Sequence, residues 1–262
     1  MEWFFTLNDD PNFFKLAQVA VVTARKNTKL QPVCMYSGDS PEIMNWLDKY
    51  GVKVIRHRAS LEEFALDLYR NDKIKKKTEV ASYFIRVDMP LYCPDDTFLY
   101  ADADVMFLGD CAELGTTIRP KVLAAAPQEN PWEFEEYFNN GVMVCNGKAL
   151  KDTYDDFVKF ILDNQTPQWL YEQESYNRYY HKMSEELPLE YNWKAYWEKD
   201  RAFWYNGVAP RTRPIQILHF HGPKPYSTEK EGLRNYRNKW FTYFSGLWHE
   251  TYLSEFGPTP TV

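Results

Sequence analysis

Over its first hundred residues the chain alternates short apolar runs with amphipathic segments that open on a capping residue, and no other feature constrains its fold as much. Residues 3–7 read as a strand. Asp10 and Pro11 then supply the cap and first position of a helix carrying Leu16, Val19, Ala20 and Thr23. Residues 32–36 read as a second strand, after which Ser40 and Pro41 open a helix through Ile43, Trp46 and Leu47 that stops at Gly51. Residues 52–55 read as a third strand, and Ser60 with Glu63 as the capping box of a third helix. Parallel strands need crossover helices, so the pattern predicts an α/β fold with a Rossmann-like, mostly parallel central sheet flanked by helices. Such sheets bind ligands beyond the carboxyl ends of their strands.

The segment FLYADADVMFLGD at residues 98–110 falls at such an end, preceded by a helical stretch through Tyr83 and Arg86. A bare D-x-D more often marks a polar turn than a metal site. Here the two carboxylates interrupt an apolar run, Phe98, Leu99 and Tyr100 before them and Val105, Met106 and Phe107 after, and a turn alone does not explain that placement. Residues two apart on a strand share a face, so Asp102 and Asp104 can converge on one divalent cation. The formal charge of −6 argues against a nucleic-acid partner and means that an anionic substrate needs a local cation. Cys34, Cys93, Cys111 and Cys145 lack the spacing of a zinc site or a disulfide framework, which fits a reducing, cytoplasmic location. The chain opens without a basic leader, and no apolar run approaches about 18 residues, so neither export by a leader nor a membrane span is expected.

The second half is less regular: residues 121–126, 141–145 and 215–220 read as strands, and 149–162 and 168–181 as helices. After the D-x-D come, in order, FNNGVMVCN at 138–146, EQESYN at 172–177, LEYNW at 189–193 and ILHFHGPKPY at 217–226. With these five segments in this order the chain resembles the retaining glycosyltransferases of family 8, from about residue 5 to residue 226. The resemblance implies one GT-A domain over 1–262: a nucleotide-binding half at 1–110, an acceptor and catalytic half at 111–226, and an aromatic helical tail at 227–262. It implies transfer of a hexose from a nucleotide sugar, usually a uridine diphosphate sugar, to a glycan or glycolipid, with manganese. It makes Asp102, Asp104 and His219 the metal ligands and puts Gly222 and Lys224 on the diphosphate. Arg86, Asn139, Thr6 and Ala103 fall in the nucleotide-sugar pocket, with Asn8 or Asp9 toward the base, and Gln173 and Glu174 beside the reacting sugar. Two departures stand out: one residue instead of two separates Gly222 from Lys224, and Tyr226 replaces a tryptophan.

The chemistry also stands without the family. A departing diphosphate gathers negative charge, which a divalent cation and a lysine stabilise. Two carboxylates and an imidazole suit manganese. Gln173 offers an amide oxygen to an oxocarbenium-like centre; Glu174 is the carboxylate nucleophile if the reaction is a double displacement. Each residue has a plainer reading: His219 as a satisfied strand-end histidine, Gln173 and Glu174 as a solvated helix face, and the stretch from Arg70 to Lys77 as a solvated loop. Trp193, Trp197 and Trp204 read equally as core or as platforms for an acceptor sugar. Trp240, Phe244 and Trp248 recur every four residues, so core packing is the plain reading and peripheral docking on a membrane the sharper one. Of the competing functions, an aspartate-nucleophile phosphatase needs D-x-D on its first strand. A nucleotidylyltransferase needs a glycine loop where LNDDPNFF has none. A catalytically silent nucleotide-sugar binder would carry the same residues.

Overall fold

A computed structural model describes residues 1–68, 82–128, 137–164, 172–197, 214–226 and 238–257. The basic stretch 70–77 and Trp204 lie outside the described residues. Strands β1 (Glu2–Leu7), β2 (Gln31–Tyr36), β3 (Lys53–Arg56) and β4 (Thr97–Ala101) pair in parallel in the order β3-β2-β1-β4. Beyond β4 the sheet continues with β7 (Phe138–Asn146), β6 (Leu123–Pro127) and β8 (Ser184–Glu186); β7 is antiparallel to both its neighbours. A second sheet of three strands places β10 (Ile217–His219) between β5 (Val105–Phe107) and β9 (Trp193–Lys194).

The central strands are buried on both faces. From β1, Trp3, Phe5 and Leu7 enter one core with residues of helices α1 (Pro11–Asn27) and α2 (Pro41–Lys49). Phe4 points the other way, into a core shared with Phe84, Ile85 and Phe157. A third cluster joins Leu16 and Val19 of α1 to Trp193, Phe220 and, from the terminal helix Lys239–Phe256, Phe244 and Trp248. The four-residue aromatic spacing of that helix is thus explained by core packing, each large ring contributing roughly 1.5–3 kcal/mol when buried. Among the described residues no helix is long and apolar enough to cross a membrane.

Three expectations are corrected. Ser60 and Glu63 form no capping box: the third helix starts at Glu62, and the Ser60 hydroxyl and backbone N–H donate to Asp88 at 2.6 and 2.7 Å. Asp88 is fully buried, and a buried carboxylate without donors costs far more than a frayed exposed helix end. Strand β7 begins three residues before Gly141, because Asn139 and Asn140 are buried polar residues that an apolar pattern passes over. Last, Asp102 and Asp104 do not share a strand. β4 ends at Ala101 and β5 starts at Val105 in the other sheet, so the carboxylates occupy the crossing between the two sheets.

Candidate metal and nucleotide-sugar site

The crossing is pinned from both sides. Asp102 N–H donates to Gly141 O at 2.8 Å, and Phe220 N–H to Asp104 O at 2.9 Å. Asp102, Asp104 and His219 each offer a ligand atom within 4.8 Å of the others, so the structure brings together the three residues expected to hold a cation. Gly141 makes room for them. A Cβ there would lie 2.4 Å from His219 Cε1 and 2.8 Å from Asp102 Oδ2.

The two carboxylates are held differently. Asp102 Oδ1 accepts from Tyr100 Oη at 2.6 Å and pairs with Arg86 Nη2 at 2.9 Å. Arg86 lies over the Tyr100 ring, donates to Asn140, and pairs through Nε with Glu172 Oε1 at 3.1 Å. Burial disfavours the guanidinium charge, but Asp102 and then Tyr100 and Glu172 push its pKa above the ordinary value. Burial likewise raises the Glu172 carboxyl, against the pull of Arg86. Asp104 is 6% exposed and pairs through Oδ2 with Lys224, which also donates to Phe220 O at 3.0 Å. Burial alone would raise the Asp104 carboxyl; the Lys224 charge outweighs it and holds the carboxyl well below the carboxylate range. Gly222, at φ +79°, turns the chain so that Lys224 reaches Asp104 across the shortened loop.

The tautomer of His219 follows from a backbone group. Gly141 N–H donates to Asn139 Oδ1, which also accepts from Asn192 Nδ2 at 3.0 Å. Asn192 Oδ1 therefore faces Lys194 Nζ and His219 Nδ1, both at 2.9 Å, and His219 carries its proton on Nδ1. Its Nε2 lone pair then meets Asp104 Oδ1 at 3.2 Å, and that oxygen is buried without a hydrogen-bond partner among the described residues. Two lone pairs facing each other inside a protein repel, and a cation between them removes the repulsion. Burial lowers the His219 pKa, as a neutral ligand requires. The donor set thus fits a divalent cation, with Asn192 orienting the imidazole from behind.

Gln173 lies beside the cluster. Its Oε1 accepts from Asn140 N–H at 3.0 Å and Asn139 Nδ2 at 3.1 Å, and its Nε2 donates to Gln128 Oε1 at 3.2 Å. Glu174 is half-buried, pairs with Arg178 at 2.6 Å and hydrogen-bonds Tyr137. Burial, and after it the Lys194 charge, push the His221 ring down to about 2. At the end of β1, Asp9 accepts from the Tyr36 hydroxyl and from the N–H groups of Asp39 and Ser40, stapling that loop, while Asn8 Oδ1 accepts from Asp10 N–H. Thr6 hydrogen-bonds Tyr100, and Ala103 is buried between the two ligands. Trp193 is 4% exposed and packs edge-on against Trp197, which is the core placement of its two readings. Glu172, Asn192 and Gln128 escaped the sequence reading. The first two sit inside EQESYN and LEYNW, so the motifs marked them, but their pairing across the fold was not written in the local pattern.

This is the architecture of GT-A glycosyltransferases, a two-sheet α/β body with carboxylates at the crossing. The sequence profile of glycosyl transferase family 8 matches residues 5–229, and the chain belongs to that family. Among solved structures it is similar to the galactosyltransferase LgtC in complex with donor and acceptor sugar analogs, at 18% identity and TM-score 0.68 over 100% of this chain and 97% of that one. One solved form of LgtC is an active-site mutant with glutamine replaced by glutamate. The apo glycosyltransferase GlyE of Streptococcus pneumoniae TIGR4 matches at 17% identity and TM-score 0.67, over 96% of this chain and 60% of that one. This chain therefore spans about 60% of the GlyE chain. Mouse xyloside xylosyltransferase 1 matches at 15% identity and TM-score 0.57, over 85% of this chain and 98% of that one. Comparison with curated proteins by sequence finds no significant match.

Proposed function

We propose that the chain is a metal-dependent retaining glycosyltransferase that moves a hexose from a nucleotide diphosphate sugar, with uridine as the base, to a glycan or glycolipid acceptor. The observation that carries this reading is the buried Asp104 oxygen facing the His219 lone pair beside Asp102. A divalent cation held by these three residues, manganese by the nature of the donor set, supplies charge compensation to a departing diphosphate. Lys224, hinged on Gly222, is placed to add a second positive charge on the same side. Arg86 and Glu172 hold Asp102 in one orientation, so its second oxygen stays turned toward Gly141.

On the sugar side Gln173 supplies a fixed dipole. Its oxygen already accepts two hydrogen bonds, which makes it a poor nucleophile but a steady partner for developing positive charge. The active-site glutamine of LgtC supports this role for the residue type. Glu174, paired with Arg178, would have to leave that ion pair to act as a covalent nucleophile.

Calorimetry with uridine diphosphate, with and without manganese, tests the reading: nucleotide affinity should rise strongly with the metal, and equal affinity in chelator would refute metal dependence. A panel of nucleotide sugars with manganese identifies the hexose by hydrolysis and transfer. Proton NMR of the first-formed product should show the anomeric configuration of the donor; inversion would remove the proposed mechanism while leaving the fold untouched.

A further inference from the structure

Metal binding leaves the second histidine of HFHG unexplained. His221 lies outside the Asp102, Asp104 and His219 cluster, yet both its ring nitrogens are engaged. Nε2 lies 3.0 Å from Gln128 Nε2, and Nδ1 lies 3.1 Å from Tyr196 Oη.

The direction of every hydrogen bond from Gln173 to His221 follows from backbone donors. Asn140 N–H can only donate, so the Gln173 atom at 3.0 Å from it is the oxygen. The Gln173 nitrogen then faces Gln128 at 3.2 Å, and the Gln128 atom there has to be oxygen, which also accepts from Asn139 Nδ2 at 2.7 Å. The orientation of Asn139 is itself set by Gly141 N–H, which donates to its Oδ1 at 3.2 Å. Gln128 is left presenting its nitrogen to His221, whose Nε2 must accept. The ring is therefore neutral, with its proton on Nδ1 toward Tyr196.

We propose that His221, acting through Gln128, is a positioning residue that reinforces the orientation the backbone sets for the Gln173 amide beside the reacting sugar. The proposal rests on the role assigned to Gln173 above. A glutamine amide is close to two-fold symmetric in shape, so without a specific partner it can present its NH₂ where its oxygen belongs. An NH₂ aimed at a carbon gaining positive charge opposes bond cleavage. Asn140 N–H opposes the exchange directly, and His221 adds to it by accepting from the nitrogen of Gln128, which leaves the Gln128 oxygen to accept from the nitrogen of Gln173. The oxygen of Gln173 stays turned to β7, the strand that carries Gly141 to the metal cluster.

The test has one arm that needs no activity. Long-range proton–nitrogen NMR of the histidine rings in the purified wild-type protein should show His221 as the neutral Nδ1–H tautomer. In Gln128→Glu the carboxylate still accepts from Gln173 and Asn139 but cannot donate, so His221 should switch to a ring protonated on Nε2. In His221→Phe and Gln128→Leu, kcat should fall about tenfold, the cost of one unpaired buried polar group, with the donor KM and the manganese requirement unchanged. Gln128→Glu should lose clearly less than Gln128→Leu, because it keeps the acceptor that Gln173 needs. A wild-type His221 protonated on Nε2, no switch in Gln128→Glu, or an undiminished kcat in His221→Phe would overturn the proposal. A wild-type protein that transfers no sugar from any nucleotide donor would instead refute the assigned function, and the tautomer and its switch would still decide the relay.

Discussion

Asp102 and Asp104 stand two residues apart and are compensated by opposite strategies. On the large-sheet side Asp102 meets a buried arginine that is itself clamped by Glu172, Asn140 and the Tyr100 ring. On the small-sheet side Asp104 meets a lysine carried on a loop after a left-handed glycine, and a histidine whose lone pair faces it. Arginine suits a permanent, geometrically fixed pair, whereas lysine is a flexible point charge. The difference assigns rigidity to one carboxylate and exchange to the other: under the proposed function a cation at Asp104 would release Lys224 toward a phosphate, but nothing comparable among the described residues would free Arg86.

The largest expected effect is on the exchangeable side. Asp104→Asn should lower turnover by roughly three orders of magnitude, since a metal stabilises charge worth several kcal/mol in the transition state. Its thermal stability should change far less, because the buried position also loses the need to compensate a full charge. Steady-state assays with saturating manganese measure this, and a loss below about tenfold would erase the distinction between the two carboxylates.

The rigid side should show the reverse pattern, with stability failing first. Arg86→Met leaves the buried Glu172 and the partly exposed Asp102 without their cation and should destabilise the fold by about 3 kcal/mol or more in urea unfolding. Adding Glu172→Gln removes one of those charges and should restore part of the loss. If the double variant is no more stable than the single one, Glu172 is not the partner that makes Arg86 structural.

How far the sequence foresaw these two sides depends on the range of the forces involved. The order of the first elements was legible because caps such as Asp10 and Ser40 and the apolar spacing of α1 are local signals. Asp102, Asp104 and His219 were legible as residue types in motifs. The reason they converge was not: the period-two rule pointed to one strand, and the structure uses a crossing between two sheets. Glu172 meets Asn140, Asn192 meets Asn139 and Gln128 meets His221 across 32, 53 and 93 residues of chain, where no local pattern reports them. Ser60 shows the same limit from the other direction, since its local cap signal lost to a buried carboxylate 28 residues away.

A smaller effect separates the two histidines. His219→Ala should raise the manganese needed for half-maximal activity by at least about tenfold, whereas His221→Ala should leave that requirement unchanged and lower kcat instead. Calorimetric titration of manganese into each variant measures the same split without turnover. Greater impairment of metal binding in the His221 variant would move the ligand role down the loop.

The smallest effect lies outside the site and shows what a buried carboxylate looks like when it has no cation to serve. Asp88 accepts from Ser60 N–H and Oγ, from Tyr154 Oη at 2.8 Å and faces His57 Nε2 at 2.7 Å, so each of its oxygens is satisfied, unlike Asp104 Oδ1. Burial alone would raise its pKa, but the hydrogen bonds from His57, Ser60 and Tyr154 together hold it below the ordinary value of 3.8. A depressed folded-state pKa means that the folded protein binds the proton more weakly than the unfolded chain. The stabilisation is therefore fully present above the ordinary carboxylate pKa and is lost as the pH falls through the folded value. Asp88→Asn should lower the melting temperature by a few degrees at pH 7, about 1–2 kcal/mol at this chain length, with turnover at a permissive temperature preserved. Repeating the melts down to acid pH should bring the two proteins together as the wild-type carboxyl takes up its proton. A gap that stays constant through that range would mean that the substituted amide fails through shape and not through charge, and Asp88 would then no longer serve as the satisfied counterpart of Asp104.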